Sequence, residues 1–429
     1  MKNTNLLNSL RLAILGALTI TATAAQAESI AITNATVYTV AKKGILSQAT
    51  VLMNDGKITA VYSSDEVPEP LNAETIIDAK GRILTPGFIA SKNLLGLVEV
   101  GAVSATRDAS DKKADLTFDA SLAFNPKSTL VAYARKGGIT NNLVMPYGGE
   151  NTFTGQSFAV NLSGELGESV IAKQNAVIVS LGASRKGSRA VALQTLGNEL
   201  ADAKKALTKA EKAKAKKTKD SKEAKQPSRA QQEMYALLAG EKPLLAYADR
   251  ATDILALLAL KQEYSLDLVL VGASDAVLVS DEIAKAGVVV MTSGIDNLPS
   301  SFDSLHNSLN NVAKLTQAGV KVIISNSGES HNINQLRFDA GVAVANGLDK
   351  NAALASITAN VADTFKLNTG RITVGKNADL VLWSNDPFEI STKVDAMWIG
   401  GQAMSLKSRQ DALRERYTTQ SNMPRAYTK

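Results

Sequence analysis

The sequence contains no cysteine and only two histidines, His306 and His331, in 429 residues. The first absence excludes disulfides, thiolate metal sites and a cysteine nucleophile. The second argues against an ordinary zinc hydrolase, whose metal takes about three protein ligands, histidine foremost. Long apolar runs are also scarce. The first, Leu12 to Ile20, is too short to span a bilayer. It follows the basic Lys2 and Arg11 and precedes Ala25-Gln26-Ala27, a small-x-small cleavage pattern. Residues 1–27 therefore read as a signal peptide. A mature chain starting near Glu28, periplasmic or secreted and with no membrane span, is the expectation.

A spread-out basic surface is missing as well. The formal charge is +6, but residues 204–229 hold ten Lys and one Arg against Glu211, Asp220 and Glu223. That run alone carries +8, which leaves the remainder near neutral. No aromatic residue is interleaved with these lysines, so the run reads as a solvated helical insert and not as a nucleic-acid face. No nucleic-acid partner is expected.

What is present is a full hydrophobic complement, 45% of residues, with β character at both ends. Residues 30–85 are rich in β-branched side chains, and Asn54-Asp55-Gly56-Lys57 is a hairpin signal. Short strands recur at Leu380–Trp383 and around Met397-Trp398-Ile399. Between the two ends, eight short apolar runs begin at Phe88, Thr140, Ser157, Asn175, Pro243, Asp267, Gly287 and Val320. Continuously apolar strands alternating with helices suggest a parallel sheet covered on both faces, and eight of them suggest a (β/α)8 barrel. An open doubly wound sheet fits the pattern alone. Pro86-Gly87 marks a sharp break where the N-terminal strands hand over to the first of the eight.

That break sits in a longer phrase, Ile77 to Ile89, which resembles the amidohydrolase superfamily of metal-dependent hydrolases. Gly370 to Gln402 resembles the family's C-terminal phrase over its whole length. Gly240-Glu241-Lys242-Pro243 and the charged insert before it are similar to the imidazolonepropionase-like subgroup. Lys136-Gly137-Gly138, Pro146 to Asn151 with Gly148 and Gly149, and Gly155-Gln156-Ser157 also resemble family phrases and carry no assigned chemistry. The resemblance implies a (β/α)8 TIM-like barrel plus a small β-sandwich formed from both chain ends. Its parts would be 28–86 with 370–405 for the sandwich, 87–369 for the barrel with the Lys-rich insert at 200–232, and a tail at 406–429. It also implies hydrolysis of C–N bonds other than peptide bonds, by a water activated on zinc or another divalent metal.

The same resemblance locates the metal ligands, and this sequence departs from it at each place. Lys92 and Leu94 stand where the first strand has two histidines. Tyr247 and Asp249 stand at the fifth strand, Gly272 at the sixth, and Ser327, after Ser325 and Asn326, where the last strand has an aspartate. The fourth strand ends in Ser180 to Ser184 with no acid or lysine. A Lys92 ammonium opposes a metal cation directly. Asp249 and His331 alone are too few for another metal site, and no cofactor is expected. Lys92 and Asp249 read either as a charge pair replacing the metal or as two solvated rim residues. His306 reads as a surface hydrogen-bonding residue. Pocket candidates are Lys92, Tyr247, Asp249, Asn326 and His331. Three functions follow: a metal-free pseudoenzyme partnering itself or a catalytic homologue, a small-molecule binding protein, or an enzyme with an atypical site. A catalytic Lys92 would need its pKa lowered by burial or a neighbouring cation.

Overall fold

A computed structural model describes residues 29–147, 149, 151–181, 187–215, 226–326 and 329–418. The expected signal peptide, Gly148, Ser184, Ser327, most of the Lys-rich connection and the end of the tail lie outside the described residues.

The first sheet begins with β1 (Ile30–Tyr38), β2 (Ile45–Asn54), β3 (Lys57–Tyr62), β4 (Thr75–Asp78) and β5 (Ile83–Pro86). The β2–β3 hairpin forms at the expected turn. Asp55 and Gly56 both take positive φ, 49° and 71°, as a two-residue hairpin loop requires. β1 is shared along its length, with β4 parallel to its start and β5 parallel to its end. The sheet is completed from the other end of the chain by β14 (Leu380–Trp383), β15 (Val394–Ile399) and β16 (Gln402–Ala403). β14 pairs antiparallel with β5, so the two chain ends combine as expected, here in one hydrogen-bonded sheet where a sandwich was anticipated. Its own core includes Ile32, Val51, Met53, Leu84, Leu380 and Trp398.

The second sheet contains the eight anticipated strands: β6 (Phe88–Asn93), β7 (Ile139–Val144), β8 (Phe153–Asn161), β9 (Val170–Ser180), β10 (Leu244–Ala248), β11 (Leu268–Gly272), β12 (Val289–Ser293) and β13 (Val322–Ser325). Each contributes to one interior cluster: Ile89, Leu143, Ala159, Ile178, Leu245, Val269, Met291 and Ile323. Val361, Phe365 and Leu367 join that cluster. This is a barrel and not an open doubly wound sheet. β6 and β13 flank a seam with no hydrogen-bonded ladder among the described residues.

The barrel departs from the all-parallel expectation at one strand. β8 pairs antiparallel with both β7 and β9. The reason is chain length: the links on either side of β8 are short, and a parallel crossover needs a dozen or more residues. The helices Ala251–Tyr264, Asn311–Gln317 and Leu336–Ala345 follow β10, β12 and β13. The Lys-rich insert enters as the helix Arg189–Ala215 and leaves as the helix Arg229–Leu238, which Ser228 and Gln231 start with a capping box. Lys204, Lys205, Lys209 and Lys212 are exposed. Among the described residues no helix is long and apolar enough to cross a membrane.

Gly87 joins the two sheets, but not by the backbone freedom the sequence suggests, since its φ is not left-handed. What demands glycine is proximity: a Cβ there would overlap the side chain of Thr140. Beside it, Trp383 of β14 stacks on Phe88 with ring centroids 5.1 Å apart and donates from Nε1 to Thr85 Oγ1 at 2.8 Å. Buried Arg337 lies over the Trp383 ring and donates to the carbonyls of Pro387, Glu389 and Thr392, each at 2.7 Å.

Candidate functional site

Side chains alternate along a strand, so residues two apart share a face. Ile89 and Leu245 face the barrel interior. Ser91, Tyr247 and then Asp249 follow on the same face, towards the end of the barrel where parallel strands place their chemistry. By that alternation Lys92 would point away. The backbone overrides it. Lys92 has φ +58°, and the β6–β7 register slips between Ala90↔Asn142 and Asn93↔Val144. Two residues of β6 thus oppose one of β7, a β-bulge that re-aims the side chain.

The bulge is clamped on its far side. Asn93 and Asn142 exchange amide hydrogen bonds at 2.7 and 2.9 Å. Asn93 Oδ1 also accepts from Leu95 N, and Leu94 N donates to Ser330 Oγ at 3.2 Å. A left-handed lysine costs on the order of 1 kcal/mol, and such strain persists only where surroundings impose it. The result is a half-buried Lys92 whose ammonium senses the carboxylates of Asp296 and Asp249. Burial pushes its pKa below that of an ordinary lysine, and the two carboxylates only partly oppose the shift.

Of the two readings of Lys92 and Asp249, the contact ion pair is not made. Lys92 has no salt bridge within 4.0 Å and no hydrogen bond among the described residues. Asp249 is instead positioned by the neighbouring strand. Its Oδ1 accepts from Ser274 Oγ at 3.1 Å and, more loosely, from Ser274 N at 3.4 Å. Gly272 takes φ +85°, and a Cβ on it would lie 2.7 Å from that same Oδ1. The Gly272 position therefore makes room for the carboxylate. Ala273 is also left-handed, so strand ends on two sides of the mouth carry strained backbone.

The remaining anticipated residues divide. Tyr247 is half-buried against the interior cluster, and burial raises its phenol pKa, so it stays a neutral donor. Asn326 is buried and donates from Nδ2 to Ile333 O at 3.3 Å, while its Oδ1 finds no partner among the described residues. Ser91 Oγ, fully buried, is in the same position. Leu94 packs against the outer hydrophobic core. His331 is exposed on the turn Ser330–Gln335. His306 makes a surface hydrogen bond, as expected, through Nδ1 to Asp275 Oδ1 at 2.7 Å. Among the described residues no three His, Asp or Glu side chains group to hold a metal ion.

Sequence reasoning missed a charged chain behind the site. Asp253 is buried beside Arg189, whose Nε is 3.5 Å from its Oδ2, and Arg189 also bonds Asp303. Burial raises the Asp253 pKa; Arg189 and Arg250 oppose this, and Asp303 and Asp249 add to it. Asp296 was missed too, although an acid three residues past the end of β12 is a readable signal.

Residues 203–404 match the model of the amidohydrolase family. An amidohydrolase from Hapsidospora irregularis, tasK, is 23% identical over 393 residues, which cover 82% of this chain and 39% of that protein. The chain thus spans about two-fifths of that relative's length. The crystal structure of an amidohydrolase from Thermotoga maritima superposes with a TM-score of 0.78, at 24% identity, covering 87% of this chain and 99% of that one. The ochratoxinase of A. niger superposes with a TM-score of 0.53 at 13% identity, over 88% of this chain and 96% of that one. At such identities the structural likenesses establish the fold.

Proposed function

We propose, from the premise that this chain belongs to the amidohydrolase family, that its barrel mouth binds a small organic ligand without a metal, and that it is a pseudoenzyme with respect to metal-dependent hydrolysis. The observation that carries this reading is the Lys92 amine, delivered by a strained bulge to the place where the family resemblance puts a metal-binding histidine. A cation there would compete with the Lys92 amine for the same space and be repelled by its protonated form. The side chains at hand do not fit a catalytic divalent ion. Asp249 and Asp296 are two carboxylates; Asp249 is held by Ser274, and Gly272 cannot become a ligand without displacing it. Residues 182–186, 327 and 328 add no His, Asp or Glu, and Glu150 lies outside the described residues. An open catalytic site needs about three such donors.

Export belongs to the same proposal, because residues 1–27 have the form of a cleaved signal. Intact mass of the mature chain, starting at Glu28, checks it. Elemental analysis of protein purified without chelator checks the central reading. One zinc or manganese per chain, lost together with hydrolytic activity on Asp249→Ala, would overturn it.

A second reading, docking of a second copy or a catalytic homologue over the mouth, is favoured by the loop after β12. Ile295, Leu298, Phe302 and Leu305 are all exposed there, Phe302 at 92%. A dimer in solution that dissociates on combining Leu298→Ser with Phe302→Ser is its test.

A further inference from the structure

We propose that Lys92 is an amine nucleophile that captures small uncharged aldehydes as imines in the barrel mouth. The inference rests on the metal-free reading of that mouth and deepens it by naming the ligand class.

The geometry has four parts. First, the β6 bulge and left-handed backbone turn the Lys92 side chain from the outer face to the interior. The clamp formed by Asn93, Asn142 and Ser330 fixes this arrangement. Second, the amine has no hydrogen bond or close ion pair among the described residues. A lysine tied into a contact salt bridge keeps its proton and its lone pair is blocked; this one is held near carboxylates but not against them. Third, Asp249 is aimed by Ser274 and Gly272 from the adjacent strand end, where it can take and return a proton. Fourth, Ser91 Oγ and Asn326 Oδ1 are buried with no partner among the described residues, one on β6 beside Lys92 and one just past β13 across the seam. They offer hydrogen-bonding sites to a hydroxyl formed next to Lys92. The direction of the Lys92 pKa agrees with this arrangement, since burial favours the neutral amine.

The step balances without a redox partner. The Nζ lone pair adds to the carbonyl carbon and the carbonyl oxygen becomes the carbinol hydroxyl. One Nζ proton reaches that oxygen through Asp249. The second Nζ proton then leaves with the hydroxyl as water, and the C=N bond forms. Amine and aldehyde become imine and water. The charge around Lys92 sets the class: Asp249 and Asp296 both face it, so an anionic keto acid is repelled where an uncharged aldehyde is not.

The test uses the mature full-length protein, propionaldehyde and sodium cyanoborohydride at pH 7, with glyoxylate as the anionic arm. Tryptic mapping follows each lysine with time; alkylated Lys92 leaves residues 83–107 uncut. The expected result is Lys92 alkylation roughly tenfold or more faster than that of exposed Lys205 and Lys209, with no such advantage for glyoxylate. Loss of the fast phase in Lys92→Arg supports the assignment. Alkylation of Lys92 in the unmutated protein no faster than at Lys205 and Lys209 overturns it, whether or not the variant folds. An equal advantage with glyoxylate overturns the uncharged class. Metal content of the same sample keeps the two readings apart. A metal-free sample without fast labelling sinks only the imine, and stoichiometric metal sinks the metal-free mouth itself.

Discussion

The junction between the two sheets and the barrel mouth lie at opposite ends of the same strand, β6, and they differ in how their charged side chain is held. Each has buried polar atoms without a partner among the described residues, Thr392 Oγ1 and Asp379 Oδ2 at the junction. At the junction, Trp383 stacks on Phe88 and donates to Thr85, and Arg337 gives hydrogen bonds to three carbonyls. At the mouth, Lys92 is left-handed and has no contact ion pair among the described residues, and Ser91 Oγ and Asn326 Oδ1 likewise have no partner there. Satisfied buried polar groups stabilise a fold, whereas unsatisfied ones cost about 1–3 kcal/mol each and persist where something else holds them in place. The comparison teaches that the six residues of β6 join a tied-down end to a strained one.

The largest expected effect breaks the junction. Arg337→Ala leaves two buried carbonyls and one part-buried carbonyl without a donor and should cost about 3 kcal/mol in urea unfolding. A loss below about 1 kcal/mol would mean that the C-terminal segment holds itself. Gly87→Ala comes next. Its Cβ meets Thr140 inside a packed interface, so a cost of roughly 2–3 kcal/mol is expected in the same measurement.

At the mouth the sign should reverse. The folded pKa of Lys92 lies below that of the unfolded chain, so the native state binds fewer protons. This group's contribution is therefore most favourable above the ordinary lysine pKa and declines as pH falls from there through the folded value. Lys92→Met should then be neutral or stabilising at pH 7, by under about 1 kcal/mol, with the advantage shrinking towards pH 10–11. Thermal unfolding across that range is the check, and destabilisation at pH 7 would show that the amine has a structural partner. The smallest effect belongs to the insert: trypsin should cut first within residues 204–229, and the nicked protein should unfold at an unchanged temperature.

Much of this architecture was legible from sequence. Eight apolar runs matched eight barrel strands, and the Asn54–Lys57 hairpin formed as its turn chemistry requires. The antiparallel β8 could have been read too, from links too short for a crossover. The mouth was legible only as a set of positions. Lys92 and Asp249 come near one another, but not in the contact pair that was one of the two readings; His331 is exposed, and Asp296 and the Arg189–Asp253–Asp303 chain went unseen.

Composition and periodicity determined the elements, their order and the poverty of metal-ligand types, because these depend on local patterning and residue identity. Tertiary structure alone decided which way Lys92 points, since a one-residue bulge reverses a strand's alternation and its cause lies in register with β7 and a clamp from residues far along the chain. It also decided why Gly87 and Gly272 must be glycine. Both answer to the side chain of a residue distant in sequence, Thr140 in one case and Asp249 in the other, and closeness of that kind exists only after the barrel has closed.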